Sequence, residues 1–221
     1  MASCDFKVGA RILVVGYNGS GKSSLINKLA NNDDLTKVGD SLLPTQHEAA
    51  AIGLDHHLQI QANENAEDGG PINQLIMLFD TQGFGGTTSD DRQIAESIVG
   101  IVKTADVVLI CHKLYQRVDG KVAEELKELV RILGSKLMKK AIFVFTCGDE
   151  YIIRCRPKPV ADLTNDDITR QMRAQAEGMK QNIVKILTSL GISQEIGDNI
   201  PYCITSADQD DLPTGNWIND L

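Results

Sequence analysis

Positive charge is scarce in this chain. Its 221 residues hold 22 Lys plus Arg against 30 Asp plus Glu, a formal net charge of −8. A sequence-independent grip on a DNA or RNA backbone needs a basic surface, so no nucleic-acid partner is expected. Long apolar runs are missing too. None approaches the roughly 18 residues that mark a membrane span, which leaves peripheral association through a partner as the route to a membrane. The N-terminus, Met1-Ala2-Ser3-Cys4-Asp5, has no basic stretch leading into an apolar one, so no signal peptide is expected. Ala2 stands where N-myristoylation needs Gly. Cysteine is sparse and odd in number: Cys4, Cys111, Cys147, Cys155 and Cys203 are scattered, which predicts reduced thiols in a cytoplasmic protein rather than a disulfide framework. The rest is ordinary for a globular protein. Apolar residues make up 42% and charged residues 24%, enough to bury a core in a single domain spanning 1–221.

No internal repeat or low-complexity tract is visible. Ala10–Val15 is a short apolar run ending at Gly16 and predicts a buried strand. Lys22–Ala30 carries Leu25, Ile26 and Leu29 at helical spacing. Ala49–Gln61 and Leu75–Asp80 predict two strands, joined through Asn63–Gly70 with its Asp-Gly-Gly turn signal. Asp90–Lys103 and Gly120–Leu133 predict helices, and Asp106–Cys111, Ala141–Thr146 and Ile200–Thr205 predict strands. Thr164 is placed to N-cap a long helix with Asp166 and Asp167 in its first turn. This alternation predicts an α/β fold: a mostly parallel six-stranded sheet with helices on both faces. Such sheets bind ligands at the carboxyl ends of their strands.

The chemistry is concentrated at such an end. Gly16-Tyr17-Asn18-Gly19-Ser20-Gly21-Lys22-Ser23 fits G-x-x-x-x-G-K-[ST], with a predicted strand before it and an amphipathic helix after it. Glycine lets the backbone turn tightly so that successive N–H groups meet phosphate oxygens. The helix N-terminus adds partial positive charge. Tyr17, Asn18, Gly19, Ser20, Gly21, Lys22, Ser23 and Ser24 form the expected nucleotide-binding run. Lys22 places an ammonium on the β- and γ-phosphates, and the Ser23 hydroxyl ligates Mg²⁺. The strand ending in Asp80-Thr81-Gln82-Gly83 delivers Asp80 to that metal, and the Gly83 N–H contacts the γ-phosphate. The strand ending in Thr146-Cys147-Gly148-Asp149 occupies the place of Asn-Lys-x-Asp in GTPases: the Asp149 carboxylate accepts from the guanine N1–H and amine, a donor pair adenine lacks, and Thr146 stands for the Asn. Thr205-Ser206-Ala207 is similar to the weaker Ser-Ala-Lys element, in which a backbone N–H meets the guanine carbonyl; Asp208 replaces the Lys.

These motifs resemble those of the immunity-associated GTPases, the GIMAP-type or avirulence-induced family, related to the Toc GTPases and the septins. The resemblance rests on Gly16–Ser24, Asp80-Thr81-Gln82-Gly83-Phe84, Lys113–Asp119 and Thr146-Cys147-Gly148-Asp149-Glu150, and spans roughly Arg11 to Ala207. It implies a P-loop G domain that binds GTP/GDP with Mg²⁺ and forms nucleotide-dependent homodimers. Two departures stand out. Gln82 replaces the family's Pro, and Cys147 replaces an Arg whose stem would stack over the guanine, so less cover on the base is expected. The chain stops at Leu221, so the family's C-terminal helix is expected to be short or missing.

Ras-like GTPases place a Gln directly after Asp-x-x-Gly to position the attacking water. Here that residue is Phe84, which predicts slow intrinsic hydrolysis. The resemblance implies that Arg117, in Lys113-Leu114-Tyr115-Gln116-Arg117-Val118-Asp119, approaches a partner's phosphates; an Arg supplied in trans is worth about 10³–10⁵ in rate. The alternative is that Arg117 caps or pairs near the next helix. The metal-coordinating Thr of the first mobile loop is assigned to Thr45, with Thr36 second. Arg154, Arg156 and Lys158 read as a solvated basic face, and His112 as solvated. His56 and His57, adjacent on a strand, point to opposite faces and cannot share a metal. Three readings compete: a GTPase stimulated by dimerisation, a GTP-binding scaffold with negligible hydrolysis, and a P-loop ATPase or small-molecule kinase, against which Asp149 argues.

Overall fold

A computed structural model describes residues 7–32, 35–36, 50–56, 74–81, 99–154 and 164–221. In chain order the elements are β1 (Lys7–Gly16), α1 (Lys22–Leu29), β2 (Ala50–His56), β3 (Gln74–Asp80), β4 (Val107–Lys113), α2 (Gly120–Met138), β5 (Ala141–Thr146), α3 (Gly148–Arg154), α4 (Asn165–Ser189), α5 (Gln194–Asn199), β6 (Tyr202–Ile204), β7 (Asp211–Leu212), β8 (Gly215–Asn216) and α6 (Trp217–Asp220). Residues 99–102 are also helical, as expected for the end of the helix predicted at Asp90–Lys103; the start of that helix lies outside the described residues.

Six strands form one sheet in the order β2-β3-β1-β4-β5-β6. β1 pairs in parallel with β3 and β4, and β5 in parallel with β4 and β6. β2 alone runs antiparallel, against β3. The mostly parallel six-stranded sheet expected from the alternation is therefore present. Leu13, Val14 and Val15 are consecutive and all 0% exposed. Successive strand residues point to opposite faces, so both faces of the sheet are covered. β7 and β8 form a separate hairpin.

The helices follow local chemistry. Thr164 caps α4 through a capping box with Asp167, as the sequence predicts, and the stripe from Ile168 through Met172, Ala176, Met179 and Ile183 to Leu187 is buried. Asp119 caps α2, accepting from the Lys121 and Val122 N–H groups at 3.0 and 3.3 Å. α2 runs beyond the predicted Leu133 and is interrupted at Gly134. The strand order places β1 between β3 and β4, so the chain leaves β1 towards one side of the sheet and later returns on the other. Such a reversal opens a crevice at the carboxyl ends of the strands, where Gly16 and Asp80 lie. No helix among the described residues is long and apolar enough to cross a membrane.

Candidate functional site

The loop between β1 and α1 is a phosphate cradle by its geometry. The Ser20 N–H donates to the Tyr17 carbonyl at 3.0 Å, closing a turn. Gly16 has φ +151°, and a Cβ there would lie 2.4 Å from the Cys111 carbonyl oxygen on β4. Gly21 caps α1 with φ +85° and offers no side chain, so the first-turn N–H groups of α1 have no side-chain cap. Uncapped N–H groups and the helix dipole together make an anion site. Lys22 is buried and folds back over the loop: its Nζ donates to the carbonyls of Gly16 at 3.0 Å and Tyr17 at 3.1 Å. An ammonium has three donors, and these two bonds aim it while leaving a third for a ligand. Burial pushes the Lys22 pKa down, opposed by Cys111, Glu125 and Asp80. Burial likewise pushes the Cys111 thiol up to about 12. Tyr17, Asn18 and Ser24 are half-buried, and Gly19 is exposed at the tip of the loop.

Ser23 and Asp80 meet at the mouth of this cradle. The Ser23 Oγ donates to Asp80 Oδ2 at 3.0 Å, and Asp80 is fully buried at the end of β3. Thr81 fixes that strand end by donating to the Val14 carbonyl at 2.7 Å. A hydroxyl and a carboxylate at one point suit a hard cation such as Mg²⁺, which keeps octahedral oxygen coordination. Among the described residues no group of three or more His, Cys, Asp or Glu could hold a metal. Phosphate oxygens and water would complete the set. The buried Ser20 Oγ has no hydrogen-bond partner among the described residues, as a polar atom lining a ligand cradle would.

Thr36 is held back against α1. Its Oγ1 lies 2.7 Å from Asn27 Oδ1 and 3.0 Å from the Ser23 carbonyl, its N–H donates to Asn27 Oδ1 at 2.8 Å, and Asn27 Nδ2 donates to its carbonyl at 3.0 Å. Thr45, Gln82, Gly83, Phe84, His57, Arg156 and Lys158 lie outside the described residues.

The turn after β5 is tied to the loop between β1 and α1. Thr146 Oγ1 donates to the Ser20 carbonyl at 2.7 Å, so the end of β5 touches the phosphate loop directly. Cys147 then adopts φ +58°, and α3 begins at Gly148. Asp149 therefore sits on the first turn of a helix, which the strand-end reading did not anticipate. Its Oδ1 accepts from Ser206 Oγ at 2.6 Å. Ser206 is buried, and its Oγ accepts in turn from the Asp208 and Gln209 N–H groups, each at 3.2 Å. The sequence reading expected only a backbone N–H from the Thr205-Ser206-Ala207 element; the structure shows the Ser206 hydroxyl bonded to Asp149. Ala207 follows, exposed. Burial pushes the Cys147 thiol up to about 11, so it is protonated at neutral pH.

Two expectations change. His112, read as solvated, is 5% exposed: it lies inside β4, and burial pushes its pKa down against a backbone bond to Gln116 and the charge of Asp119. Arg154 lies on a solvated face as expected, 60% exposed, where it pairs with Glu150 at 2.7 Å and lies over the Tyr115 ring. Arg117 does not cap α2, because Asp119 does; Arg117 is exposed and makes no hydrogen bond or ion pair among the described residues.

A glycine cradle after the first strand, an acidic group ending β3, and an Asp on the turn after β5 define a P-loop nucleotide-binding domain. The chain belongs to the 50S ribosome-binding GTPase family, whose model matches residues 11–147. Solved structures share its fold. Toc33 from Arabidopsis thaliana in complex with GDP and Mg²⁺ is 18% identical, with a TM-score of 0.68 over 96% of this chain and 80% of that one. A dimerisation-deficient arginine-to-alanine mutant of Toc33 is 18% identical, with a TM-score of 0.69 over 96% and 80%. A structure showing that dimerisation is important for the GTPase activity of the chloroplast translocon components atToc33 and psToc159 is 19% identical, with a TM-score of 0.71 over 98% and 80%. A comparison with curated proteins finds no match.

Proposed function

We propose that this chain is a cytoplasmic guanine-nucleotide switch of the Toc and GIMAP type, one G domain that binds GTP/GDP with Mg²⁺ and hydrolyses GTP slowly until two copies pair. The observation that carries the nucleotide reading is the joined site. Lys22 is folded over the loop, Ser23 bonds Asp80, and Thr146 ties the loop to the turn bearing Asp149. One end of the crevice suits phosphates and the other suits guanine. In this reading the loop N–H groups from Tyr17 to Ser24 bind the phosphates and Lys22 orients the γ-phosphate. Asp149, held by Ser206, accepts from the base. Ser23 and Asp80 would hold Mg²⁺, with a loop Thr as a further ligand. When bound, the ion supplies charge that neutralises the β- and γ-phosphate oxygens.

The dimer reading rests on Arg117. An exposed guanidinium without a partner among the described residues, just ahead of the α2 cap, is available to a neighbouring copy. Toc33, with the same fold, has a dimerisation-deficient arginine mutant. The proposal is tested by measuring the GTPase rate per molecule against protein concentration, with Arg117→Ala alongside. The expected result is a rate that rises with concentration in the native protein and stays low in the variant. A rate independent of concentration in both rejects pairing. It leaves the scaffold reading, which Phe84 favours because it cannot position water.

A further inference from the structure

A purine held by one carboxylate needs cover on its faces, and the turn presenting Asp149 supplies little. Cys147, two residues before it, has a short side chain on a residue locked at φ +58°. The neighbouring strand brings a longer one. Register pairs Lys113 at the end of β4 with Thr146, and the Leu114 N–H donates to the Thr146 carbonyl at 2.9 Å. The last residue of β4 therefore lies against the start of the base-reading turn.

Lys113 is half-buried and part of an assembled cluster. Its Nζ lies 5.6 Å from the centroid of the Tyr115 ring. The Arg154 guanidinium is 4.7 Å from the same ring. Arg154 bonds Glu150 through Nη2 at 2.7 Å and Nε at 2.8 Å. Burial pushes the Glu150 pKa up, but the bonds from Arg154 and the Cys147 thiol and the charge of Lys113 outweigh it and hold the carboxyl below its usual range. The cluster thus runs from Tyr115 to the thiol of Cys147. Of its two cations, Arg154 is the more exposed, at 60%, while Lys113 stands on the strand beside the turn.

We propose that Lys113 is the affinity-determining residue of the base site, its alkyl stem covering the guanine face that Cys147 leaves open while the Tyr115 ring holds the ammonium in place. A stem pinned at its charged end loses little further freedom when a base arrives, and long cationic side chains cover apolar surface through their methylenes. The inference rests on the guanine-nucleotide reading of the site.

The test is a titration of the full chain with a fluorescent GDP and a fluorescent non-hydrolysable GTP analogue. Lys113→Ala should weaken both by about tenfold, and by the same factor, because the lost contact is to the base they share. Lys113→Met keeps the stem and should stay within about threefold of the native protein, which also guards against a folding defect in the Ala variant. Adding Cys147→Lys to Lys113→Ala restores a stem at the turn itself and should recover most of the loss. An unchanged affinity in Lys113→Ala, an equal loss in Lys113→Met, or no recovery with Cys147→Lys each overturns the proposal. A native protein that binds GDP no better than ADP overturns the guanine reading, and this inference with it. Native guanine binding with an unaffected Lys113→Ala overturns this inference alone.

Discussion

Gly16→Ala is the perturbation whose magnitude the structure fixes most directly. A Cβ at Gly16 would lie 2.4 Å from the Cys111 carbonyl oxygen and 2.8 Å from Ser20 Oγ, where ordinary contact begins at 3.4 Å. The Ser20 hydroxyl can rotate away. The Cys111 carbonyl cannot, because Gly16 and Cys111 are register partners in the β1–β4 ladder. Relief by about an ångström must come from the sheet, at an overpacking cost of about 1–3 kcal/mol. The φ of +151° adds backbone strain of about 1–3 kcal/mol for any residue with a Cβ. Together these predict a loss of about 4 kcal/mol, a large part of a typical 5–15 kcal/mol total. Two other glycines separate the terms. Gly19 has φ +76° but open space, so Gly19→Ala should cost strain alone, about 1–2 kcal/mol. Gly178 lies inside α4 with nothing within 4 Å and no positive φ, so Gly178→Ala should stabilise by about 0.5–1 kcal/mol. Urea denaturation of the three variants, with midpoints compared at a common slope, measures the order. The reasoning is refuted if Gly16→Ala costs no more than Gly19→Ala, or if Gly178→Ala destabilises.

Ser206→Ala removes the donor that orients Asp149 and should weaken GDP binding about tenfold, with the loss read by the same titration; an unchanged affinity would mean Asp149 needs no such support. Asn27→Ala strips three polar groups of Thr36 of their buried partner and should lower stability by about 2 kcal/mol in urea melts, whereas Thr36→Val, which leaves both main-chain bonds in place, should cost less. His112 has a folded-state pKa below its unfolded value near 6.5. The unfolded chain therefore binds the proton more readily, and the stability that His112 contributes, full above pH 6.5, is lost as pH falls through 6.5 towards the folded pKa. The midpoint of thermal unfolding should drop from pH 7.5 to pH 5.5, and His112→Gln should flatten that slope; an equal slope in the variant would assign it elsewhere.

How much of this was legible depends on the distance over which each feature is encoded. The phosphate loop was readable because it is contiguous: eight residues carry the glycines, the Lys and the Ser, between a strand and a helix whose apolar spacing is itself local. Asp80 and Thr164 were readable for the same reason, one closing an apolar strand and the other opening a capped helix. The short helices α3 and α5 were missed. Neither is long enough to show a period, and α3 starts only because Cys147 turns the chain through a left-handed conformation.

By itself, then, the sequence determined the class of protein and where its motifs lie: a glycine-rich loop at a strand end, an acid ending the next parallel strand, and an Asp on the turn after β5. The tertiary structure decided which groups serve them. Ser206 reaches Asp149 across 57 residues of chain, and Thr146 reaches Ser20 across 126. Lys113 stands beside Cys147 because β4 and β5 share a register. His112 is buried and Arg117 exposed, although only four residues separate them within one short polar stretch. Local pattern records what a segment prefers, while such pairings depend on which strands lie side by side, and only the folded sheet settles that.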